Sequence, residues 1–177
     1  MRIISGTHKG RKINPPKGLP VRPTTDFAKE GLFNILRNRI DFTSTTALDL
    51  FAGTGNISFE LASRGVPKIT SIDSDFGCIK FIQKVAEEFD FPIQATKADV
   101  FKYLDFPTSR YSLIFADPPY DFAIEKMETL VIAIFEKGWL EEEGMLIMEH
   151  AKTTSLTTLS HFQEEQKYGG CVFSFFF

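Results

Sequence analysis

Asp117, Pro118, Pro119 and Tyr120 follow the apolar run 111–116 and are the residues of this chain best suited to do chemistry. A carboxylate next to a proline carbonyl supplies two hydrogen-bond acceptors side by side. The pyrrolidine rings hold their directions, and the tyrosine ring offers a flat apolar face. That combination suits an exocyclic amine on a nucleic-acid base, a weak nucleophile because its lone pair is delocalised into the ring. Accepting both N–H bonds in a fixed geometry, with the base stacked on Tyr120, readies the nitrogen to attack an electrophilic carbon. The same residues also suit a plain Pro-Pro turn after a strand, so a second element has to decide.

Residues 47–55, Ala-Leu-Asp-Leu-Phe-Ala-Gly-Thr-Gly, read as an apolar strand running into a glycine turn, with a helical pattern over 56–64. Gly53 and Gly55 let backbone N–H groups approach a ligand closely, and Asp49 puts a carboxylate beside them. A dinucleotide fingerprint needs Gly or Ala three positions after Gly55, where this chain has Ser58, and Asp49 would repel a pyrophosphate. A cationic ligand fits better. S-adenosylmethionine, with an ammonium and a sulfonium, is such a ligand. Its other end finds acceptors in Asp73, closing a second strand over 68–73 and suited to the ribose hydroxyls, and in Asp99, closing a third strand over 93–99 and suited to the adenine amine. Each acid alone also fits a solvated strand end or a helix cap. The specific signal is the order: glycine turn, Asp73, Asp99 and Asp117 follow strands one to four in turn.

On these motifs the chain resembles the class I S-adenosylmethionine-dependent methyltransferases, and among them the RsmD family of small-subunit ribosomal RNA guanine-N2 methyltransferases. The resemblance extends over nearly the whole chain and is strongest at residues 2–12, at 22–26 (Arg-Pro-Thr-Thr-Asp), at 48–55 and at 117–120. It implies cofactor contacts from Asp49, Gly53, Gly55, Asp73 and Asp99, and a target-base loop in which Asp117, Pro118 and Tyr120 act on the amine. Pro119, Arg22 and Thr24 are then expected on the substrate side. One departure is visible: many members carry an Arg where this chain has Phe27.

Composition and charge suit a globular enzyme. Hydrophobic residues make up 43% and charged residues 24%, enough for one domain with a sizeable core. Most of the 19 Phe, including Phe101 and Phe106, are expected in that core, as is Met127. Cys78 and Cys171 lack any paired or metal-ligand spacing and read as free buried thiols. With His8, His150 and His161 scattered, no metal is expected. The absence of a signal sequence or a long apolar run points to the cytoplasm. The net charge of −3 is uneven. Residues 1–40 carry nine Lys or Arg against Asp26 and Glu30, net +7, which leaves −10 for the rest. Lys9, Arg11 and Lys12 are therefore expected to contact phosphates by counterion release, the alternative being a solvated positive face.

The layout expected from periodicity has two parts. Residues 1–42 form a basic arm, with a β-hairpin over 2–5 and 11–13 and a helix capped by Thr25 or Asp26. Residues 43–177 form the catalytic core. Strands near 46–51, 68–73, 93–99, 111–116 and 144–149 alternate with helices near 56–64, 75–89 and 123–137. Segments 162–168 and 171–177 form a hairpin about Gly169-Gly170. This is an α/β, three-layer, doubly wound, mostly parallel sheet closed by a C-terminal antiparallel hairpin, and the resemblance makes it seven-stranded. Glu149 reads as a cap or a solvated strand end, the alternative being a contact with substrate or cofactor.

The combined reading is methyl transfer to guanine N2 by a monomer acting on ribosomal RNA or an assembling small subunit. An unstacked guanine in a loop or bulge is the expected target. Two rivals stay open: an adenine-N6 methyltransferase of DNA or RNA, which the same loop would serve, and a non-catalytic RNA-binding assembly factor on the same fold.

Overall fold

The computed structural model describes residues 1–19 and 24–177. Helix α1 (Asp26–Leu36) begins where the Thr25 hydroxyl accepts from the Ala28 amide, and packs Ala28, Leu32, Phe33 and Leu36 inward. Then β1 (Thr46–Leu50), α2 (Asn56–Ser63), β2 (Lys68–Asp73), α3 (Phe76–Phe89) and β3 (Ile93–Lys97) alternate, followed by α4 (Val100–Leu104), β4 (Tyr111–Ala116), α5 (Ile124–Glu136), β5 (Leu140–Ala151), β6 (Phe162–Tyr168) and β7 (Cys171–Phe176).

The sheet has seven strands in the order β3-β2-β1-β4-β5-β7-β6. Strands β1 to β5 are parallel, and β7 runs antiparallel between β5 and β6. The order reverses between β1 and β4, where two successive crossovers leave in opposite directions and open a crevice at the strands' carboxyl ends. Register sets Leu50 beside Ala116, so the glycine turn after β1 and the loop after β4 emerge side by side. Both sheet faces are covered. One core holds Ile3, Ile13 and residues of α1, α2 and α3; the other holds residues of α4 and α5 with the fully buried Trp139.

The first residues form the expected hairpin as a short antiparallel pairing, Arg2 opposite Lys12, with Ile3 and Arg11 sharing a backbone bond of 3.0 Å. It lies along α2. The amides of Ile4 and Ser5 donate to the Glu60 carboxylate at 2.7 and 3.0 Å, and the Thr7 amide donates to the Ser63 carbonyl. Its turn therefore sits at the carboxyl end of α2, away from the crevice.

Three expectations needed correction. The third strand stops at Lys97, and Asp99 instead caps α4 by accepting from the Lys102 amide at 3.0 Å. Phe106 is 77% exposed: α4 has only five residues, so Phe106 falls beyond its buried face, whereas Phe101 packs against the core and stacks on Phe122. Strand β5 starts at Leu140 rather than near residue 144, because the exposed Glu141–Glu143 hide a strand whose pairing shifts register between Tyr111 and Leu113. Met127, Cys78 and Cys171 are buried as expected.

Candidate active site

A cleft of about 480 Å³ opens at the strand reversal. Thr24, Asp49, Gly53, Asp73, Asp117, Pro118, Pro119 and Tyr120, all expected from sequence, line it together. Gly55 stands behind this wall as the cap of α2, in left-handed backbone (φ 78°) that a side chain rarely adopts. A Cβ there would also lie 2.9 Å from Ile82 and Phe59, so packing and backbone both require glycine. Phe51, also in the cleft wall, adopts φ 61° without that freedom and is held edge-on to Phe122 at 5.6 Å.

Asp73 joins the turn after β1 to the turn after β2. Its Oδ2 accepts from the Gly53 amide and its Oδ1 from the Asp75 amide, each at 2.8 Å. Asp75 in turn caps α3 through the Cys78 amide. Asp49 is buried, and its Oδ2 accepts from the Ser58 hydroxyl at 2.5 Å, with Ser71 2.7 Å beyond. This explains Ser58 where a dinucleotide site would have Gly or Ala: the hydroxyl holds the acid. Burial raises the Asp49 carboxyl to about 7, against the opposing hydrogen bond from Ser58. The glycine turn and a buried carboxylate awaiting a cation fit S-adenosylmethionine by donor set and by charge.

The surroundings of the loop after β4 are more acidic than the sequence suggested. Glu149, expected as a cap or solvated end, is 2% exposed at the end of β5. Its Oε2 accepts from the Thr24 hydroxyl at 2.7 Å and its Oε1 from the Tyr120 hydroxyl at 3.3 Å, so one carboxylate ties the segment before α1 to the loop after β4. Burial, then the charges of Glu149 and Asp49, raise Asp117 well above the usual carboxylate range. Tyr120 is also raised, by burial first and then by Glu149 and Asp117. Tyr120 keeps 39% of its surface exposed.

Other expected residues lie elsewhere. Asp99 is exposed and does not line the cleft. Arg22 lies outside the described residues. Lys9, Arg11 and Lys12 are exposed on the arm, Arg11 over the Phe89 ring at the carboxyl end of α3. Not every arm cation is available to phosphates. Lys29 is buried, donating to the Arg2 carbonyl at 2.7 Å and to Asn56 Oδ1 at 2.8 Å, 3.6 Å from Glu60. Burial lowers its ammonium, with Glu60 opposing. Asn56 donates onward to the Thr24 carbonyl at 2.9 Å, so the network ends at the cleft rim. Sequence reading weighed Glu149 only as the alternative to a cap or solvated end, and missed Lys29 and Glu60. The only hint was an ionisable residue inside an apolar periodic segment. Among the described residues, no group of three or more His, Cys, Asp or Glu is placed to hold a metal, and no helix is long and apolar enough to cross a membrane.

Comparison with known proteins agrees with this geometry. Residues 1–177 match the family described as Conserved hypothetical protein 95. YlbH of Bacillus subtilis is 34% identical over 161 residues, covering 88% of this chain and 85% of that protein. The Ribosomal RNA small subunit methyltransferase D of Haemophilus influenzae is 30% identical, covering 89% and 82%. In fold the chain is similar to yhhF of Escherichia coli, with a TM-score of 0.86 at 24% identity, covering 99% and 96%. A more distant structure of the same fold, with a TM-score of 0.67, is a complex with SAH, and the family uses S-adenosylmethionine. With its whole length matched and the glycine turn and Asp117 loop facing one cleft, this chain belongs to the Conserved hypothetical protein 95 family, the RsmD family of methyltransferases.

Proposed function

We propose that this protein transfers a methyl group from S-adenosylmethionine to the exocyclic N2 of a guanine in small-subunit ribosomal RNA. The observation that carries the reading is that Asp117, Pro118 and Tyr120 line the same cleft as Gly53 and Asp73. The N2 amine offers two N–H donors, which the Asp117 carboxylate and the Pro118 carbonyl match; an adenine amine would suit the same loop, and the choice of guanine rests on the resemblance to the RsmD family. Support for ribosomal RNA comes from the named Haemophilus influenzae relative. A ribosomal substrate also places the protein in the cytoplasm.

Asp49, Gly53 and Asp73 would hold the cofactor, which supplies an electrophilic methyl on a cationic sulfur. The chain's own part is alignment. Pro118 and Pro119 fix the direction of Asp117, whose carboxylate accepts an N–H of the target amine. Tyr120, steadied by Glu149, supports the base face. Asp117 must be ionised to accept, and a cation bound beside Asp49 favours that form. The proton lost from the amine then has Asp117 as an acceptor close by. To test the reading, ribosomal RNA from cells lacking the protein is incubated with it and labelled cofactor, then digested to nucleosides for mass spectrometry. Labelled N2-methylguanosine is expected. N6-methyladenosine would overturn the guanine assignment, and no labelled nucleoside would favour the non-catalytic rival.

A further inference from the structure

Phe27, on the first turn of α1, is a large apolar side chain left 67% exposed, two residues after a capping threonine and three after Thr24 in the cleft wall. It does not stand alone. The Tyr168 ring meets it edge to face, with centroids 6.1 Å apart and planes at 72°. Tyr168 reaches this position because residue 31, one helical turn beyond Phe27 on the same face of α1, is glycine: a Cβ at Gly31 would lie 2.1 Å from the Tyr168 ring. Glycine inside a helix costs about 1 kcal/mol relative to alanine, and the close approach of that ring gives the reason for it here.

The pair adjoins the candidate base pocket along two routes. Through the β6–β7 turn, Gly169 lies next to Phe27, Tyr168 pairs with Cys171, and the Cys171 thiol is within electrostatic reach of the Tyr120 phenol. Along the chain, Thr24 is bonded to Glu149, which also holds Tyr120. The exposed face of Phe27 thus sits on segments tied to the Tyr120 loop, through Thr24 on one side and the β6–β7 turn on the other. Resting on the reading that an RNA base enters the cleft, we infer that Phe27, propped by Tyr168, is a stacking platform for an unpaired nucleobase next to the target guanine. A base drawn from its stack leaves its neighbour unstacked as well. An aromatic face beside the pocket compensates that loss without reading sequence, because every base has a π-face.

The test uses a ribosomal RNA oligonucleotide containing the methylated guanine once that nucleotide has been located. One base stacked on an aromatic ring corresponds to about 1–3 kcal/mol, roughly 5- to 150-fold. Phe27→Ala should therefore raise KM for RNA by about tenfold or more. The turnover at saturating RNA, the S-adenosylmethionine affinity and Tm should not change. Phe27→Trp should restore KM, and Phe27→Leu should not. An abasic residue beside the target should bring the unaltered protein to the KM of Phe27→Ala and leave that variant indifferent. An active protein whose KM is unmoved by Phe27→Ala, equal KM for the Leu and Trp variants, or insensitivity to flanking abasic residues on both sides would each overturn the platform alone. A protein that methylates no RNA guanine would overturn the underlying function instead.

Discussion

The cleft and the N-terminal arm are the two charged regions of this molecule, and they use charge in opposite ways. In the cleft Asp49, Asp73 and Asp117 converge at the strand ends with Glu149 buried close by, and burial with mutual repulsion drives Asp49 and Asp117 upward. On the arm Lys9, Arg11 and Lys12 face solvent, where each acts only through a field that salt screens over about 10 Å. The most consequential charges at the arm are those buried where it meets α2. Glu60, wholly buried, accepts from the Ile4 and Ser5 amides, from Arg64 at 2.8 Å, and faces Lys29. Desolvation, more than the number of charges, separates groups that do chemistry or hold structure from groups that merely attract a polyanion.

If that contrast holds, the largest effect should come from Glu60, which touches neither ligand. Glu60→Ala leaves Lys29 buried without its carboxylate and two arm amides without acceptors, and should destabilise the fold by about 3–5 kcal/mol in denaturant unfolding. Loss of less than about 1 kcal/mol would mean that the arm is held by its apolar residues Ile3 and Ile13 alone.

Asp117→Ala should follow. Methyl transfer should slow by at least ~10²-fold as an aligned acceptor is lost, while calorimetry finds S-adenosylmethionine still bound. Full activity of this variant would remove the loop from the chemistry, and lost cofactor binding would merge the two halves of the cleft into one site.

The raised Asp49 carboxyl sharpens the comparison through pH. Because its value in the fold is about 7, above the ordinary Asp range, the empty protein holds a proton that the unfolded chain releases, and stability falls as pH rises between those values. A cation bound against Asp49 requires that proton to leave. S-adenosylmethionine affinity should therefore strengthen from about pH 5.5 to 7, by at most about tenfold per unit for one proton, and level off above. Asp49→Asn should flatten the slope, whereas a flat profile for the unaltered protein would detach Asp49 from the cofactor.

The smallest effect belongs to the arm's surface. Replacing Lys9, Arg11 and Lys12 together by Ala should weaken RNA binding and reduce its log–log salt slope by roughly 0.7–0.9 for each phosphate no longer neutralised. Cofactor affinity should not move. An unchanged slope would make these three a solvated face, consistent with the hairpin turn lying at the end of α2 remote from the cleft.

The strand and helix sequence of the core, the glycine turn and the Asp117 loop were legible because each rests on local chemistry: period-two and period-3.6 apolar patterns, glycine where backbone is exposed, and proline after a strand. Asp73 was legible as a strand end for the same reason. Asp99 was misplaced by two residues of strand, since a carboxylate at a strand end and one capping the next helix look alike until the helix is seen. Glu149 was read as solvated because acids at strand ends usually are, and nothing near it in sequence shows that Thr24 and Tyr120, 125 and 29 residues away, reach it. Lys29 counted among the arm's available cations until packing put it beneath Arg2. Phe27 was visible only as a departure from the family pattern and Gly31 was mute, for their meaning depends on a Tyr168 ring that arrives from the far edge of the sheet. Sequence alone determined which elements form and which ends of them carry reactive groups, because those are short-range properties of the chain. Only the tertiary structure decided which charges lose their water and which aromatic faces keep theirs, because burial is a property of what other segments place on top.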